Sequence, residues 1–405
     1  TTDGTFTVTQ GKVEGKALTS LAFDGGTSHV DLASSFTMSH DGSTVAFWVK
    51  KDNATGNIDT ILGQASDANQ HWIQIKTNGE VVMRDYPNDL GTTSQIADTN
   101  WNHVIITMNG DSNGAIYFNG VSQPIDDNDI VGNPVFDVMG IRSTVDELDA
   151  KLRDVKVFDY ALSAEQAASL YSGTYPQTPK HWWKIDEGTG TAVEDYGTGT
   201  DADGTIDGAT YSNGTLDLDG TLTIAANGTL SAPRGNFVIT GGGHSFADSG
   251  TFTHNNGTVI FDGTGDNTYI NSSGTANTVF FNLTPQVQNG YTVTIYRDTT
   301  VEGTLLLASN RHFKIDNGSR NITLTMGTAT TAGTISIATV NSFDVVGNGT
   351  YKNTITGVSS LFPCVVSGID NGIDWDYSGE TGAVLEFGNM DFQIDCTTGG
   401  GDVDI

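Results

Sequence analysis

Apolar and polar residues alternate in short runs through the first 175 positions, and turn residues separate these runs. In one run Val104, Ile106 and Met108 are spaced two apart, which places them on one face of a β-strand. A further strand is predicted from 152 to 158, and residues 163–166 (Ser-Ala-Glu-Gln) have the spacing of a capped helical turn. Strands at this spacing without intervening helices predict an all-β sandwich.

The pattern changes at about position 221, where the strands become shorter and are broken by Asn-Gly and Ser-Gly pairs. The triplet Asn-Gly-Thr begins at positions 213, 227, 256 and 348, and its first two spacings are 14 and 29 residues. Such a repeat is too short for a domain and suits one turn or half-turn of a β-solenoid. Residues 221–405 are therefore predicted to form β-solenoid-like repeats, and a β-sandwich of hairpins is the alternative.

Five motifs in the first part of the chain occur in an order that is typical of one family. They are AFDG at 22–25, AFWVK at 46–50, WNHV at 101–104, YFNG at 117–120 and VFDYALSAEQ at 157–166. Residues 1–175 resemble the laminin-G-like modules of the concanavalin A-like lectin/glucanase superfamily. The resemblance implies an all-β, concanavalin A-like jelly roll and leaves the ligand open, because this fold hosts lectins, adhesins, enzymes and inert spacers.

The opening strand of such a module is missing from the start of the chain, where only the Asp-Gly-Thr at 3–5 matches it. A copy of that opening occurs later as HWWKIDEGTG from position 181, inside a predicted linker at 176–220. This segment either opens a second, degenerate module or folds back to complete the first sheet, and a neighbouring chain is a third source of the strand. Fold-back is favoured, because a truncated sheet edge would expose unpaired backbone N–H and C=O groups.

Tryptophan and cysteine positions add two expectations. Trp48, Trp72 and Trp101 lie within predicted strands, where core packing is favoured over ligand stacking. Cys364 and Cys396 allow one disulfide at most, which would staple adjacent coils of the C-terminal region.

The charge balance narrows the classes of partner. The chain has 48 Asp and Glu against 18 Lys and Arg, so its formal net charge is −30. Such a surface repels nucleic-acid phosphates and anionic lipid, so no nucleic-acid partner is predicted. The acidic surface is compatible with bound divalent cations or with a neutral glycan as partner, and a third interpretation is that the charge only keeps the protein soluble. No apolar run approaches the ~18 residues of a membrane span, so no membrane insertion is predicted.

Glucanases of the same superfamily carry a catalytic strand that resembles Glu-x-Asp-x-x-Glu. Their chemistry needs two carboxylates, one as the nucleophile and one as the acid/base. This chain has Glu147, Leu148 and Asp149 at the matching place, and Leu152 stands where the final acid is required. The chain is therefore predicted not to be an enzyme, and a glycoside hydrolase is the least favoured hypothesis.

The resemblance also implies a structural Ca²⁺ between an early and a late strand. Asp24 matches the early position, whereas Arg153 occupies the late position, where an acid is usual. Asp-rich turns such as 126–129 offer further carboxylates, although their spacing does not match an EF-hand loop. Ca²⁺ held by Asp24 is thus the one cofactor hypothesis.

One turn has the composition of a glycan-binding loop, in which an exposed aromatic ring lies beside amides and acids. In the stretch from 84 to 89, Tyr86 would stack on a sugar face, and Arg84, Asp85, Asn88 and Asp89 would bind its hydroxyl groups. The alternative is a polar turn that carries a tyrosine at its solvent edge.

Together these features predict a non-enzymatic structural protein of a virion or cell surface. The Gly-, Asn- and Thr-rich strand pattern that follows the sandwich resembles that of phage tail-fibre-like proteins, in which a lectin-like module attaches to a host surface or glycan. The alternative is a bacterial extracellular adhesin or a carbohydrate-binding module of a polysaccharide-degrading system. The expected partners are a surface glycan or other virion or surface subunits, the expected location is extracellular, and a homotrimer is expected by analogy with tail fibres.

Overall fold

The computed structural model describes residues 2–14, 19–53, 57–66, 70–110, 114–142, 146–271, 273–288, 290–307, 311–316, 320–337, 342–346, 352–358, 361, 364–368, 384–388 and 390–392. The chain divides into two compact units. One unit is Thr19–Ser212, and the other combines Thr1–Leu18 with Asn213–Ile405. Among the described residues, no helix is long and apolar enough to cross a membrane.

The first strand of the chain, β1 (Thr2–Glu14), belongs to the unit that has two segments. The unit Thr19–Ser212 contains strands β2 to β18 and one helix in its described part. Their bounds are β2 (Ser20–Ala22), β3 (His29–Thr37), β4 (Ser43–Lys51), β5 (Asp59–Gly63), β6 (His71–Ile75), β7 (Glu80–Asp85), β8 (Asn88–Gln95), β9 (Asn102–Met108), β10 (Ala115–Phe118), β11 (Val121–Ser122), β12 (Ile125–Asn128), β13 (Val135–Met139), β14 (Ala150–Phe158), α1 (Ala164–Tyr171), β15 (His181–Trp183), β16 (Ala192–Val193), β17 (Gly204–Asp207) and β18 (Thr210–Ser212).

These strands form two antiparallel sheets that enclose one apolar core. One sheet has the order β11-β10-β9-β4-β14-β2-β18, with β15 also paired to β14, and the other has the order β12-β8-β7-β6-β5-β13-β3-β17-β16. Alternate residues point inward, so Val104, Ile106 and Met108 of β9 pack in the core with Phe47 and Leu152. The all-β sandwich expected from the sequence is confirmed.

The segment that follows the helix extends both sheets of this same sandwich. Strand β15 pairs with residues 155–157 of β14, while β17 pairs with β3 and β18 pairs with β2. Trp183 is fully buried in the core, and its indole Nε1 donates a hydrogen bond of 2.8 Å to the backbone oxygen of Ala202. The segment therefore lies inside the sandwich unit, whose last residue is Ser212 rather than the predicted 175.

The single described helix covers part of the outer face of the β4-containing sheet. Ser163 caps it, since its hydroxyl accepts from the backbone N–H of Gln166 while the Gln166 side chain accepts from the N–H of Ser163. Ala167 and Leu170 of α1 pack on Ile105 of β9 in a small second core.

The second unit is a coil of short parallel strands. Their bounds are β19 (Leu216–Ser231), β20 (Asn236–Ile239), β21 (Gly243–Asp248), β22 (Thr251–Thr253), β23 (Thr258–Phe261), β24 (Thr268–Ile270), β25 (Thr278–Phe280), β26 (Asn282–Pro285), β27 (Thr292–Ile295), β28 (Thr299–Val301), β29 (Thr304–Leu307), β30 (His312–Asp316), β31 (Ile322–Thr328), β32 (Thr331–Ala332), β33 (Thr334–Ile337), β34 (Ser342–Val346), β35 (Lys352–Gly357), β36 (Cys364–Gly368), β37 (Val384–Gly388) and β38 (Met390–Phe392).

Each turn of the coil places its strands on those of the turn before. Strand β19 pairs with β20, β21 and β22 in succession, and parallel pairing then continues from β20 to β23 and β26 and from β21 to β24 and β27. The result is a β-solenoid, with about four turns at 216–326. The solenoid expected from the repeat is confirmed. Cys364 begins β36, and Cys396, its predicted partner, lies outside the described residues.

Asparagine and glycine recur in the solenoid because they serve its corners. Asn267 accepts a hydrogen bond from the backbone N–H of Thr292, which is 25 residues later, and Asn282 accepts one from the N–H of Thr304, which is 22 residues later. At Gly257 a Cβ atom would lie 2.3 Å from the backbone oxygen of the preceding turn, so any larger residue would clash. Gly257 belongs to the Asn-Gly-Thr triplet that begins at 256, so the close approach of neighbouring turns explains the glycine of that triplet.

The position of β1 differs from the predicted domain boundary. The strand pairs in parallel with β19 from Thr2 to Glu14, and Phe6 and Val8 lie beside Leu222 and Ile224. Residues 2–14 therefore form a solenoid strand and are not the start of the sandwich, which was predicted to begin at residue 1. In chain order, the sandwich unit therefore lies between β1 and β19, which pair with each other in the solenoid.

Candidate functional site

The predicted glycan-binding turn is the hairpin between β7 and β8. Arg84 and Asp89 are direct neighbours across this hairpin, and the guanidinium Nε and Nη2 donate to the two carboxylate oxygens at 2.7 and 2.6 Å. This hydrogen bonding raises the pKa of Arg84. The guanidinium also stacks on the ring of Trp72 at 4.8 Å, and Arg142 lies over the same ring at 5.4 Å. Arg84 and Asp89 thus form a fixed pair on the outer face of the sheet.

The other predicted residues lie at the tip of the hairpin. The Asp85 carboxylate lies 2.9 Å from Nε2 of His71, and the Asn88 amide donates a hydrogen bond of 2.7 Å to the backbone oxygen of Asp129. Tyr86 lies between them with 58% of its surface exposed. The structure therefore brings the five predicted residues together in one hairpin. Four of them hold protein partners, and Tyr86 presents its ring to solvent.

The predicted catalytic positions do not form a carboxylate pair. Glu147 and Asp149 precede β14 rather than alternating along it, and Leu152 is fully buried in the core. The Asp149 carboxylate accepts hydrogen bonds from the amides of Asn53 and Asn57 at 2.7 and 2.9 Å. The side chain at position 152 therefore cannot supply a proton to a ligand.

Asp24, the predicted calcium ligand, closes its own turn. Its Oδ1 accepts hydrogen bonds from the backbone N–H of Gly26 at 3.0 Å and from the hydroxyl of Ser28 at 2.7 Å, and these bonds lower the pKa of Asp24. Within the described part of the chain, no three His, Cys, Asp or Glu side chains are placed to hold a metal ion. Arg153, at the late position, lies over the ring of Trp101 at 4.3 Å. These residues do not fit a family-type site, and Ca²⁺ at Asp24 stays a prediction.

A buried ion pair lies next to this turn. The Lys51 ammonium is 3.5 Å from a carboxylate oxygen of Asp59, and each side chain is 1% exposed. Burial raises the pKa of Asp59, while the N–H of Asp149 and the charge of Lys51 act in the opposite direction. The pair fixes the end of β4 against the start of β5 inside the sandwich.

An open cleft of about 720 Å³ lies beside the N-terminus of α1. Its walls include the rings of Tyr117 and Tyr160 and the polar side chains of Thr107, Asn109 and Gln166. Sequence inspection missed these residues, because β9, β10 and the segment before α1 meet only in the folded chain. The cleft has the mixed aromatic and amide character of a small-ligand site.

Trp48 and Trp101, expected in the core, lie instead on the outer face of the β4-containing sheet. Trp48 is half-buried, and its ring packs against that of His103 with a centroid distance of 4.9 Å and an interplanar angle of 37°. The Arg153 guanidinium lies over the ring of Trp101. Trp72 is buried, but it lies outside the core clusters of the described residues, between Arg84 and Arg142. The core-packing expectation is wrong for Trp48 and Trp101, because strand alternation alone does not say which face is inner, whereas Trp72 is buried as expected.

We expect the stability of the sandwich to depend on pH through His103. Burial, followed by the nearby charge of Lys156, lowers its pKa to about 4 from 6.5. Above pH 6.5 the His103 imidazole is neutral in both the folded and the unfolded chain. As the pH falls from 6.5 towards 4, this imidazole is protonated in the unfolded chain but stays neutral in the folded chain. We expect this to remove about 3 kcal/mol of unfolding free energy over that window. Urea unfolding at pH 7 and at pH 4.5 should show a smaller difference for His103→Asn than for the wild type. An equal difference would contradict this role.

Comparison with known proteins agrees with this architecture. Residues 24–168 match the family model for the concanavalin A-like lectin/glucanases superfamily, of the Laminin_G_3 type. This part of the chain is therefore a concanavalin A-like domain of that type, as the motifs indicated. No curated protein sequence matches the chain.

Solved structures resemble the chain in fold alone. A putative carbohydrate-binding protein from Bacteroides ovatus is 16% identical, with a TM-score of 0.36, and the match covers 48% of this chain and 59% of that protein. A SAP-like pentraxin from Limulus polyphemus is 18% identical with a TM-score of 0.32, covering 40% of this chain and 86% of the pentraxin. The binding domain of botulinum neurotoxin serotype D/C is 16% identical with a TM-score of 0.29, covering 40% and 49%.

Proposed function

We propose that the protein binds carbohydrate through its concanavalin A-like unit and acts as a non-enzymatic attachment protein outside the cell. The exposed ring of Tyr86 carries this proposal. It stands at a loop tip where an imidazole, an amide and carboxylates are already fixed by hydrogen bonds. Because the polar side chains around the ring are already held in place, little conformational entropy is lost when a sugar ring binds against the tyrosine.

The solenoid supports this proposal as a scaffold. Its turns are joined by continuous parallel pairing, which makes each turn stiffen the next. The proposed settings are a phage tail-fibre-like protein and, as the alternative, a bacterial adhesin or carbohydrate-binding module. Tail or capsid genes beside the coding gene would favour the first setting, and polysaccharide-utilisation genes would favour the second.

Hydrolysis is not part of the proposal, since Leu152 takes the place of the required acid and is buried. Incubation of the full chain with the polysaccharides that it binds should release no reducing ends. Release of reducing ends would overturn this part of the proposal.

Replacing Tyr86 by alanine is expected to weaken glycan binding at least about fivefold, because stacking on one aromatic ring contributes about 1 kcal/mol or more. The measurement is a glycan array with the full chain, with Tyr86→Phe as the matched control. The phenylalanine variant keeps the ring and should keep most of the affinity. Both variants should unfold at the wild-type temperature, because Tyr86 is exposed.

Two array results would contradict the proposal at different levels. Wild-type affinity in the Tyr86→Ala variant would remove the hairpin from the binding site. If the wild-type chain bound no glycan on the array, with or without Ca²⁺, the carbohydrate-binding function itself would be overturned.

A further inference from the structure

Five cations share the outer face of the β4-containing sheet. They are called the cationic face here and are Lys50, Lys151, Arg153, Lys156 and Lys184. Lys50, Lys151 and Arg153 reach this face by strand alternation, and a bulge after Arg153 brings Lys156 to the same face. Lys184 follows β15 directly and lies between the core residues Trp183 and Ile185. This face is an exception in a chain whose net charge is −30.

Two members of the cationic face directly oppose each other. Lys50 of β4 is the cross-strand partner of Lys151 of β14, and neither forms an ion pair with any residue that the structure describes. Cβ atoms of such partners lie about 4.5–5.5 Å apart, and like charges in this arrangement destabilise a sheet. A bound anion between the two ammonium groups would remove that cost.

Cations elsewhere in the sandwich are arranged differently. Four of them contact a carboxylate on the protein within 4 Å, namely Lys51 with Asp59, Lys76 with Glu80, Arg84 with Asp89 and Arg142 with Asp146. On the cationic face, the Lys156 ammonium lies 2.6 Å from the carboxylate of Asp154. Lys50 and Lys151 therefore differ from these four cations, because the described residues give neither of them a carboxylate partner.

Aromatic rings separate and position these cations. The Arg153 guanidinium lies 4.3 Å from the ring centre of Trp101 and 5.4 Å from that of Trp48. The Lys184 ammonium lies 4.5 Å from Trp182 and 3.9 Å from Tyr196. Such contacts orient a cation without neutralising it.

The backbone fixes the centre of the cationic face. The register of β14 against β4 shifts between Arg153 and Lys156, and Asp154 in this bulge has a φ of 54°. The Asp154 carboxylate accepts a hydrogen bond of 2.7 Å from the indole N–H of Trp182 and one of 2.6 Å from the ammonium of Lys156. The bulge thus turns the neighbouring cations outward and holds them, which is a common use of bulges near binding sites.

We propose that the cationic face binds an acidic polysaccharide, whose carboxylates are spaced along a chain of apolar-faced sugar rings. The proposal rests on the proposed carbohydrate-binding function and adds a second surface and a ligand class to it. Carboxylates would lie between Lys50 and Lys151 and beside Lys184, and sugar rings would contact the exposed edges of Trp48 and Trp182. A ligand with one charge per sugar suits this face better than a nucleic acid, because the acidic remainder of the chain repels a dense row of phosphates.

The test uses the full chain and immobilised polygalacturonate, measured by biolayer interferometry beside neutral dextran. The double variant Lys50→Gln/Lys151→Gln is expected to bind polygalacturonate about tenfold more weakly, since two charge contacts are lost. Lys76→Gln is the matched control, because it removes one positive charge from the other sheet, and it should retain wild-type affinity. Raising the salt concentration should weaken the wild-type complex more than that of the double variant.

Each outcome bears on the proposal. Weaker binding in the double variant alone supports it. Equal affinity of wild type and double variant, or binding to dextran as strong as to polygalacturonate, overturns it while the Tyr86 site stands. Equal binding to duplex DNA or to anionic lipid vesicles also overturns it, because the face would then select charge and not sugar. Failure to bind any polysaccharide would overturn the proposed function as well.

Discussion

Replacing Lys51 by methionine is expected to lower the free energy of unfolding of the sandwich by about 3–5 kcal/mol. The change leaves the Asp59 carboxylate buried without its cation, and burial already raises the pKa of this group. Urea unfolding followed by tryptophan fluorescence measures the effect. Five of the six tryptophans lie in the sandwich, and the sixth, Trp375, lies outside the described residues.

Two companion variants show whether the buried pair is the cause. Lys76→Met breaks a more exposed ion pair with Glu80 and should cost about 1 kcal/mol or less. Adding Asp59→Asn to Lys51→Met should recover part of the loss, because the uncompensated charge is then gone. A Lys51→Met effect no larger than that of Lys76→Met would contradict the assigned role.

Replacing Trp183 by alanine is expected to cost about 3–5 kcal/mol, because the indole is fully buried and leaves a large cavity. The variant also loses the hydrogen bond to Ala202. The effect tests whether the segment after α1 is a structural part of the sandwich, and the same fluorescence experiment measures it.

The adjacent Trp182 is the matched control. It lies on the outer face, half-buried, so Trp182→Ala should cost less than Trp183→Ala. If the two variants unfold at the same urea concentration, the segment at 181–183 does not pack against the core as the structure shows.

The fold was predictable where the sequence pattern is local. Strand alternation fixed the inner positions of β9, and motifs such as AFWVK and VFDYALSAEQ identified the jelly roll over a long stretch. The solenoid was predictable from its recurring Asn-Gly-Thr triplet, in which glycines such as Gly228 and Gly257 lie where neighbouring turns approach too closely for a Cβ atom. Both features depend on residues that are close together in the chain.

The boundary at the N-terminus was missed, although a signal for it exists. Residues 3–8 read DGTFTV, and residues 219–224 read DGTLTI, and the structure pairs these segments residue for residue. The triplet at 3–5 was matched to a sandwich opening because the two copies are separated by the whole inserted unit. A comparison of the chain with itself would have found the repeat.

The candidate site was predictable only in part. Composition pointed to the hairpin of Tyr86, yet it could not show that Arg84 pairs with Asp89 rather than facing a ligand. The opposition of Lys50 and Lys151 was hidden because it depends on the register between β4 and β14, which lie far apart in sequence. Contacts of this kind come from sheet pairing and leave no local pattern.

Hydrogen–deuterium exchange of the full chain, with and without its strongest array glycan, tests the central claim most directly. We expect the glycan to slow amide exchange within Thr19–Ser212 and to leave the solenoid turns at 216–326 unchanged. Protection that is confined to 216–326 would contradict the assignment of binding to the sandwich and of support to the solenoid.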